Sequence, residues 1–117
     1  MNQKIAIVDD DSKMCSIYKI MLNSLGHKDI TIYNNPEKFL TSDLNYTHIF
    51  LDLNMPLKSG IQVIQEIKDL EKFRLCLVSG DDYDYIYDQL EPLIESEKIE
   101  VFIKPVNLTD LKDFLST

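Results

Sequence analysis

The sequence contains no tryptophan, only 3 glycines, 4 prolines and 2 cysteines. So few glycines and prolines leave no segment with the composition of a linker or a low-complexity tract. No apolar run is long enough to span a membrane. The short apolar stretch that follows Met1 ends in acids and does not fit a signal peptide. We therefore expect one cytoplasmic domain over residues 1–117, with no membrane contact.

Basic residues are also scarce, since 12 lysines and arginines stand against 20 acids and the formal net charge is −8. Binding to a phosphate backbone needs a basic face, so we expect no direct nucleic-acid binding by this chain. The apolar share of 44% is sufficient for a hydrophobic core and argues against disorder. Cys15 and Cys76 lie in apolar surroundings without metal-type neighbours, which favours reduced, buried thiols over a disulfide or a zinc site.

Five short apolar runs predict β-strands. They include residues Ile5, Ile30, His48, Leu75 and Val101, in that order along the chain. Four of the runs lack polar alternation, which is typical of strands that are buried on both faces of a parallel sheet. The second run alternates more, so we expect it nearer an edge. His48 has no partner pattern and is expected to be structural.

Helix signals separate the apolar runs. The predicted helices are Ser12 to Leu25, Asn35-Pro36 to about Leu40, Ser59 to near Leu70, a fourth marked by Ile86, Leu90 and Leu93, and a last one capped by Asn107 with Leu108, Leu111 and Leu115 on one stripe. Pro92 is expected to kink or end the fourth helix. Strands that alternate with helices predict an α/β fold with a parallel sheet, helices on both faces and right-handed crossovers.

Polar side chains follow the ends of four predicted strands. They are Asp9 and Asp10 after the first strand, Asp52 at the third, Ser79 and Gly80 at the fourth, and Lys104 after the fifth. Because ligands of open α/β sheets bind at the carboxyl ends of the strands, we expect these groups to share one shallow cleft. Three carboxylates there would repel one another unless a cation lies between them. Oxygen ligands without histidine or cysteine favour Mg²⁺ over zinc.

These groups suit phosphoryl transfer. A carboxylate can act as a nucleophile and form an acyl phosphate. A metal ion and a lysine can neutralise the phosphoryl oxygens, over which charge is spread in the transition state. The hydroxyl of Ser79 can bond another oxygen, and Gly80 leaves room for the incoming group.

In this order along the chain, four segments resemble the receiver domains of two-component response regulators. They are Val8-Asp9-Asp10, the stretch from Leu51 to Pro56 with Gly60, Ser79-Gly80 and Lys104-Pro105. Each segment alone is a weak signal, but the resemblance covers essentially the whole chain. It implies a (βα)5 flavodoxin-like fold, in which a five-stranded parallel sheet has the strand order 2-1-3-4-5.

The resemblance also implies a role for each matching residue. Asp52 would accept a phosphoryl group from a phosphohistidine on a sensor histidine kinase or a phosphotransfer protein. Lys104 would pair with Asp52 and later with the phosphoryl group, towards which Ser79 would turn inward. The implied Mg²⁺ ligands are Asp9, Asp10, Asp52 and the main-chain carbonyl of Asn54. The peptide bond between Lys104 and Pro105 is expected to be cis.

Three positions bear on regulation. In similar proteins the positions of Asn54 and Asp81 tune the loss of the phosphoryl group, and we expect comparatively quick self-dephosphorylation because Asp81 can orient a water.

The position three residues before the lysine often carries a tyrosine or phenylalanine, but here it is Val101, followed by Phe102. A shift of one residue along a strand moves a side chain to the opposite face, so the usual aromatic switch is not expected to operate.

Other interpretations of the same residues stay open at this point. The acids at positions 9–11 could be a solvated helix cap, and Ser79 could simply cap a helix. Asp11 is expected to begin a helix or lie on the surface and not to bind metal. A metal-dependent phosphohydrolase would need a second acid beside the nucleophile and a cap over its substrate, yet Leu53-Asn54 follows Asp52.

A receiver-like interaction domain that has lost phosphorylation is the third possibility, and the intact acids, hydroxyl and lysine oppose it. We therefore expect a signalling phospho-acceptor that acts on no outside substrate and has a downstream protein partner or output domain. The sequence does not identify the kinase, the output partner, the oligomeric state or whether the domain belongs to a longer regulator.

Overall fold

The structure is a computed structural model, and it describes residues 3–80, 83–96 and 99–116. Strands and helices alternate along these residues. The strands are β1 (Ile5–Val8), β2 (Ile30–Tyr33), β3 (His48–Asp52), β4 (Arg74–Ser79) and β5 (Ile99–Ile103). The α-helices are α1 (Ser12–Ser24), α2 (Pro36–Leu40), α3 (Gly60–Glu66), α4 (Tyr83–Glu95) and α5 (Leu108–Leu115), and a 3-10 turn at Leu70–Lys72 precedes β4.

The strands form one parallel sheet in the order β2-β1-β3-β4-β5, which confirms the predicted fold class and strand order. The run expected nearer an edge, β2, is an edge strand. The register places Asp52 opposite Val78 and Ser79 opposite Ile103. Because β1 pairs with both β2 and β3, the order reverses at β1, and the carboxyl ends of β1 and β3 border the crevice in which such sheets bind ligands.

Each face of the sheet has its own apolar cluster, because successive side chains of a strand point to opposite faces. Leu51 and Leu77 belong to one cluster, which includes residues of α3 and α4. Phe50 belongs to the other, with Tyr18 of α1 and Phe114 of α5. Burial on both faces explains the continuous apolar runs of the sequence. Both cysteines are buried free thiols, as predicted.

Two predicted helix boundaries are wrong in detail. Asp11, not Ser12, caps α1, because its carboxylate accepts hydrogen bonds from two backbone amides of the first turn. The third helix ends at Glu66 instead of continuing to near Leu70. Ile67 takes an extended backbone (φ −84°, ψ 124°) and is buried in that conformation, so burial of this side chain does not require another helical turn.

In the last two helices the predicted signals are mostly confirmed. Pro92 lies inside α4, and the backbone of Leu90 departs from helical geometry (φ −126°, ψ 17°), which is the predicted kink. Asn107 caps α5 as predicted. Leu108 was expected in the buried stripe, but it is 44% exposed and Phe114 contributes the buried ring instead. No helix in the described ranges has both the length and the apolar character needed to cross a membrane.

Candidate functional site

The acids that follow β1 and β3 converge as predicted. Asp9, Asp10 and Asp52 each place a carboxylate oxygen in a group whose members lie within 4.8 Å of one another. Asp9 and Asp52 are only 2% and 5% exposed, whereas Asp10 is exposed. The cluster therefore has two buried carboxylates and one that is open to solvent.

Lys104 brings a positive charge to this cluster. Its Nζ lies 3.1 Å from Oδ1 of Asp52, and its side chain is 33% exposed. The backbone amide of Lys104 donates a hydrogen bond to the carbonyl oxygen of Ser79 (2.7 Å), which holds the end of β5 beside the end of β4. The peptide bond between Lys104 and Pro105 is cis, as predicted. One ammonium group thus pairs directly with an acid in a cluster of three.

Burial is the main cause of the raised pKa values of Asp9 and Asp52. Burial raises the pKa of Asp9 to about 6, although the amide of Asp11 donates a hydrogen bond (2.9 Å) that favours the charged form. Burial also raises the pKa of Asp52, and the adjacent ammonium group of Lys104 opposes this rise. Burial lowers the pKa of Lys104, but the adjacent carboxylate of Asp52 helps to leave that pKa above the usual value. Ionised carboxylates are therefore held here at a cost in free energy.

This donor set fits a hard divalent cation. Carboxylate oxygens are the ligands that Mg²⁺ prefers, and the ion usually keeps several waters, which suits a cluster that is open on one side. A cation bound between the acids would favour their charged forms and so relieve the cost of burying them. Asn54, the fourth predicted ligand, lies two residues beyond Asp52 on the following loop, and its role as a ligand stays a prediction.

Gly60, the first residue of α3, lies directly against the end of β3. A Cβ atom at this position would be 2.6 Å from Cδ1 of Leu77 and 2.8 Å from the carbonyl oxygen of Asp52. The amide of Gly60 donates a hydrogen bond to the carbonyl of Leu53 (2.8 Å). Only a residue without a side chain lets the helix approach this closely. Gly80 differs, because a Cβ there would meet nothing within 4 Å.

Two polar groups behind Asp9 were not predicted from the sequence. Nδ2 of Asn34 donates a hydrogen bond to the carbonyl oxygen of Asp9 (2.9 Å), and the thiol of Cys15 donates to the same oxygen (3.3 Å). Burial, with the nearby charge of Asp9, raises the pKa of Cys15 to about 11, so this thiol stays protonated. Asn34 lies 25 residues from Asp9, and no local pattern indicates their contact.

Ser79, Gly80 and Asp81 follow the end of β4 in the sequence, and their predicted roles concern switching and dephosphorylation. Ser79 is fully buried at the end of β4, one residue beyond Val78, the register partner of Asp52. Its inward turn stays a prediction. Gly80 is exposed. Asp81, for which a role in dephosphorylation was predicted, lies outside the described residues.

Val101 and Phe102 point to opposite faces of the sheet. Val101 packs against the cluster that contains Leu77, whereas Phe102 packs against the other cluster, where its ring centroid lies 6.3 Å from that of Phe114. Phe102 therefore does not take the place that an aromatic residue at position 101 would have. The structure thus has the opposite orientation of Val101 and Phe102 on which the expectation was based. That no aromatic switch operates stays a prediction.

Comparisons with known proteins agree with this arrangement. A family model described as the response regulator receiver domain matches residues 5–116. An uncharacterized response regulatory protein of Staphylococcus epidermidis is 28% identical over 116 residues, which are 96% of this chain and 45% of that protein. Hybrid signal transduction histidine kinase F of Dictyostelium discoideum is 29% identical over 118 residues, which are 96% of this chain and 11% of the kinase. The chain thus spans less than half the length of these relatives.

Solved structures also resemble the chain. Response regulator DrrB of Thermotoga maritima, an OmpR/PhoB homologue, has 26% sequence identity and a TM-score of 0.78 over 99% of this chain and 54% of that one. The BeF3-activated DrrB receiver domain has 25% identity and a TM-score of 0.77 over 100% of both chains. A response regulator from Colwellia psychrerythraea has 32% identity and a TM-score of 0.75, over 99% of this chain and 95% of the other.

Proposed function

The chain belongs to the response regulator receiver domain family of two-component signalling, and we propose that within it Asp52 is the residue that accepts the phosphoryl group. One observation carries this proposal. The buried carboxylate of Asp52 lies 3.1 Å from Nζ of Lys104 and shares a cluster of oxygens with Asp9 and Asp10. The proposed receiver domain occupies residues 1–117.

Membership in the family implies interaction with histidine kinases or phosphotransfer proteins. In the proposed reaction a carboxylate oxygen of Asp52 attacks the phosphorus of a phosphohistidine on such a partner. A P–O bond forms while the P–N bond breaks, and the imidazole is the leaving group. Lys104 would then pair with the phosphoryl oxygens, and the hydroxyl of Ser79 would donate a hydrogen bond to another of these oxygens.

Asp9, Asp10 and Asp52 would hold Mg²⁺ together with the main-chain carbonyl of Asn54. An acidic pocket of this kind is where receiver domains bind the ion. Bound Mg²⁺ supplies positive charge that offsets the carboxylates and the phosphoryl oxygens. The raised pKa of Asp9 supports this assignment, because a carboxylate buried at a cost gains the most from a nearby cation.

Phosphorylation would shift an equilibrium between two shapes of the surface that a downstream protein or output domain reads. In this proposal the domain catalyses only its own phosphorylation and dephosphorylation, in the cytoplasm, and Asp81 and Gly80 would tune the second step. Val101 leaves that shift without the usual aromatic residue, so other residues near Ser79 would have to transmit it. The net charge of −8 supports a protein partner and not nucleic acid.

Incubation with acetyl phosphate and Mg²⁺, followed by intact-mass measurement, tests the acceptor. Wild type is expected to gain one phosphoryl group, and a chelator should prevent the gain. Asp52→Asn should gain none. Asp11→Asn is the matched control, because Asp11 lies beside the acids but caps α1, a role that asparagine also fills. Phosphoryl uptake by Asp52→Asn, or none by wild type, would contradict the proposal.

A crystal structure with beryllium fluoride and Mg²⁺ tests the other roles. BeF3 was used to activate the similar DrrB receiver domain. We expect beryllium fluoride on Asp52, with Nζ of Lys104 and Oγ of Ser79 both within hydrogen-bonding distance of fluorine. A Ser79 hydroxyl beyond hydrogen-bonding distance of every fluorine would remove this residue from the site.

A further inference from the structure

The loop between β3 and α3 carries the proposed metal ligand Asn54. Main-chain hydrogen bonds hold both of its ends, since the amide of Leu53 donates to Val78 (2.9 Å) and the amide of Gly60 donates to Leu53 (2.8 Å). Between these ends Met55 is buried, whereas Leu57 is 67% exposed. The apolar side chain of Leu57 therefore does not anchor the second half of the loop.

Lys58 supplies an anchor in that second half. Its Nζ lies 2.7 Å from Oε1 of Glu37 in α2, and it also donates a hydrogen bond to the carboxylate of Glu66 in α3. The Lys58 side chain is only 24% exposed, which is low for a lysine. One ammonium group thus joins the loop to both of the helices beside it.

We propose that Lys58 is a positioning residue for the phosphorylation site, because its contacts with Glu37 and Glu66 hold the loop so that the carbonyl of Asn54 is in place for Mg²⁺. The inference rests on the proposed function, since it needs Asn54 as a ligand. A loop that is ordered before the metal arrives loses less conformational entropy when the metal binds, so the affinity is higher.

Another lysine of the chain offers a contrast. Nζ of Lys72 lies 3.4 Å from Oδ2 of Asp69, but the two residues are three apart in sequence and their side chains are 73% and 63% exposed. This pair precedes β4, at the opposite end of the sheet from Asp52, and ties no loop to another element. Exposed pairs of this kind contribute little. Lys72 is therefore a matched control that removes a lysine and an ion pair without touching the site.

Two measurements on Lys58→Met, Lys58→Arg and Lys72→Met test the proposal. Titration calorimetry gives the Kd for Mg²⁺, and intact-mass kinetics with acetyl phosphate give the phosphorylation rate at low and at saturating Mg²⁺. Lys58→Met is expected to raise the Kd about two- to tenfold, on the scale of one or two partly exposed ion pairs. At saturating Mg²⁺ its rate should approach that of wild type. Lys58→Arg should restore most of the affinity, and Lys72→Met should match wild type.

Loss of stability alone could raise the apparent Kd in the same way, because Mg²⁺ binding also pulls a partly unfolded protein towards the folded state. Urea unfolding without metal separates the two causes, since a raised Kd in a variant that is fully folded before Mg²⁺ is added reflects the loop and not stability. A wild-type Kd in Lys58→Met, or an equal loss in Lys72→Met, would overturn the positioning role. Should Lys58→Met fold poorly, Glu37→Gln and Glu66→Gln each remove one partner, and each is expected to raise the Kd less than Lys58→Met. If both leave the Kd unchanged, the positioning role of Lys58 is refuted. Absence of Mg²⁺ binding and phosphoryl uptake in wild type would instead overturn the proposed function, and with it the positioning role of Lys58.

Discussion

Charged side chains are arranged differently at the two ends of the sheet. At the amino ends of the strands, Nη2 of Arg74 lies 3.3 Å from Oε1 of Glu100, and the two side chains are 37% and 33% exposed. These two opposite charges form a single ion pair that remains partly exposed to water. At the carboxyl ends, the buried acids Asp9 and Asp52 lie together, and the ammonium of Lys104 pairs with one of them. Among these groups, like charges therefore lie together at the carboxyl end, whereas opposite charges pair at the amino end.

This difference distinguishes the proposed phosphorylation site from the opposite end of the sheet. Paired and half-exposed charges cost little and contribute little. Buried like charges reduce stability, as the raised pKa values of Asp9 and Asp52 indicate. Perturbed pKa values of this kind cluster at functional sites. Neutralising a charged residue should therefore change stability in opposite directions at the two ends, and the predictions below test the comparison from the largest expected effect to the smallest.

Replacement of Gly60 by alanine should have the largest effect on stability. Its Cβ would overlap Leu77 and the backbone of Asp52, so α3 or the end of β3 must move. We expect a loss of about 1–3 kcal/mol in the free energy of unfolding, typical of overpacking. Phosphoryl uptake should also fall, because the displaced backbone carries the acceptor. Urea unfolding and the acetyl phosphate assay measure the two effects.

Gly80→Ala is the control for that substitution, since its Cβ would enter open space. We expect its free energy of unfolding to stay within about 0.5 kcal/mol of wild type, as for most surface substitutions. If Gly60→Ala were as stable as Gly80→Ala, the close approach of α3 to β3 would not constrain the site.

Asp9→Asn should change stability and metal binding in opposite directions. The neutral amide removes a charge that is buried at a cost, and its oxygen can still accept the hydrogen bond from Asp11. At pH 7.5 without metal, we expect the variant to be about 1–2 kcal/mol more stable than wild type, less than the full pKa shift would imply. Its affinity for Mg²⁺ should fall. Asp113→Asn, which changes an exposed acid of α5, should alter neither quantity.

The gain in Asp9→Asn should depend on pH. The pKa of Asp9 rises from 3.8 to about 6 on folding, so the folded state binds more protons than the unfolded state between these values. The stabilising contribution of protonated Asp9 is complete below about 3.8 and is lost as the pH rises through about 6. The advantage of the variant should therefore shrink between pH 7.5 and pH 5. A constant difference in urea unfolding at the two pH values would show that burial of this charge is not its source.

Arg74→Met at the opposite end should have the smallest effect. It removes one partly exposed ion pair with Glu100, so we expect a loss below about 1 kcal/mol. The Kd for Mg²⁺ and the rate of phosphoryl uptake should not change, because Arg74 begins β4 and the site lies beyond its other end. A change in Mg²⁺ affinity would mean that the two ends of the sheet are coupled.

Several features could be predicted because they depend on local patterns and on one general property of parallel sheets. The apolar runs indicated the strands, and the polar residues that follow them had to meet at one edge. The pattern therefore predicted that Asp9, Asp10, Asp52 and Lys104 lie together. The alternation of side chains along a strand likewise placed Val101 and Phe102 on opposite faces.

Helix ends were less predictable, because local signals competed with burial. Asp11 and Ser12 are both good caps, and only the backbone path after β1 determines which carboxylate or hydroxyl reaches the free amides. Ile67 fits a helical pattern equally well, yet it is buried in an extended conformation. Tertiary packing overrides such weak preferences.

By itself, then, the sequence determined the fold class, the strand order expected for its family and the acids that share a cleft. Only the tertiary structure showed that Asn34 holds the backbone of Asp9, that Gly60 leaves no room for a side chain, and that Lys58 joins the loop to two helices. The reason is physical. These contacts join atoms far apart along the chain, and a change of one or two ångströms, which no local pattern records, would remove them.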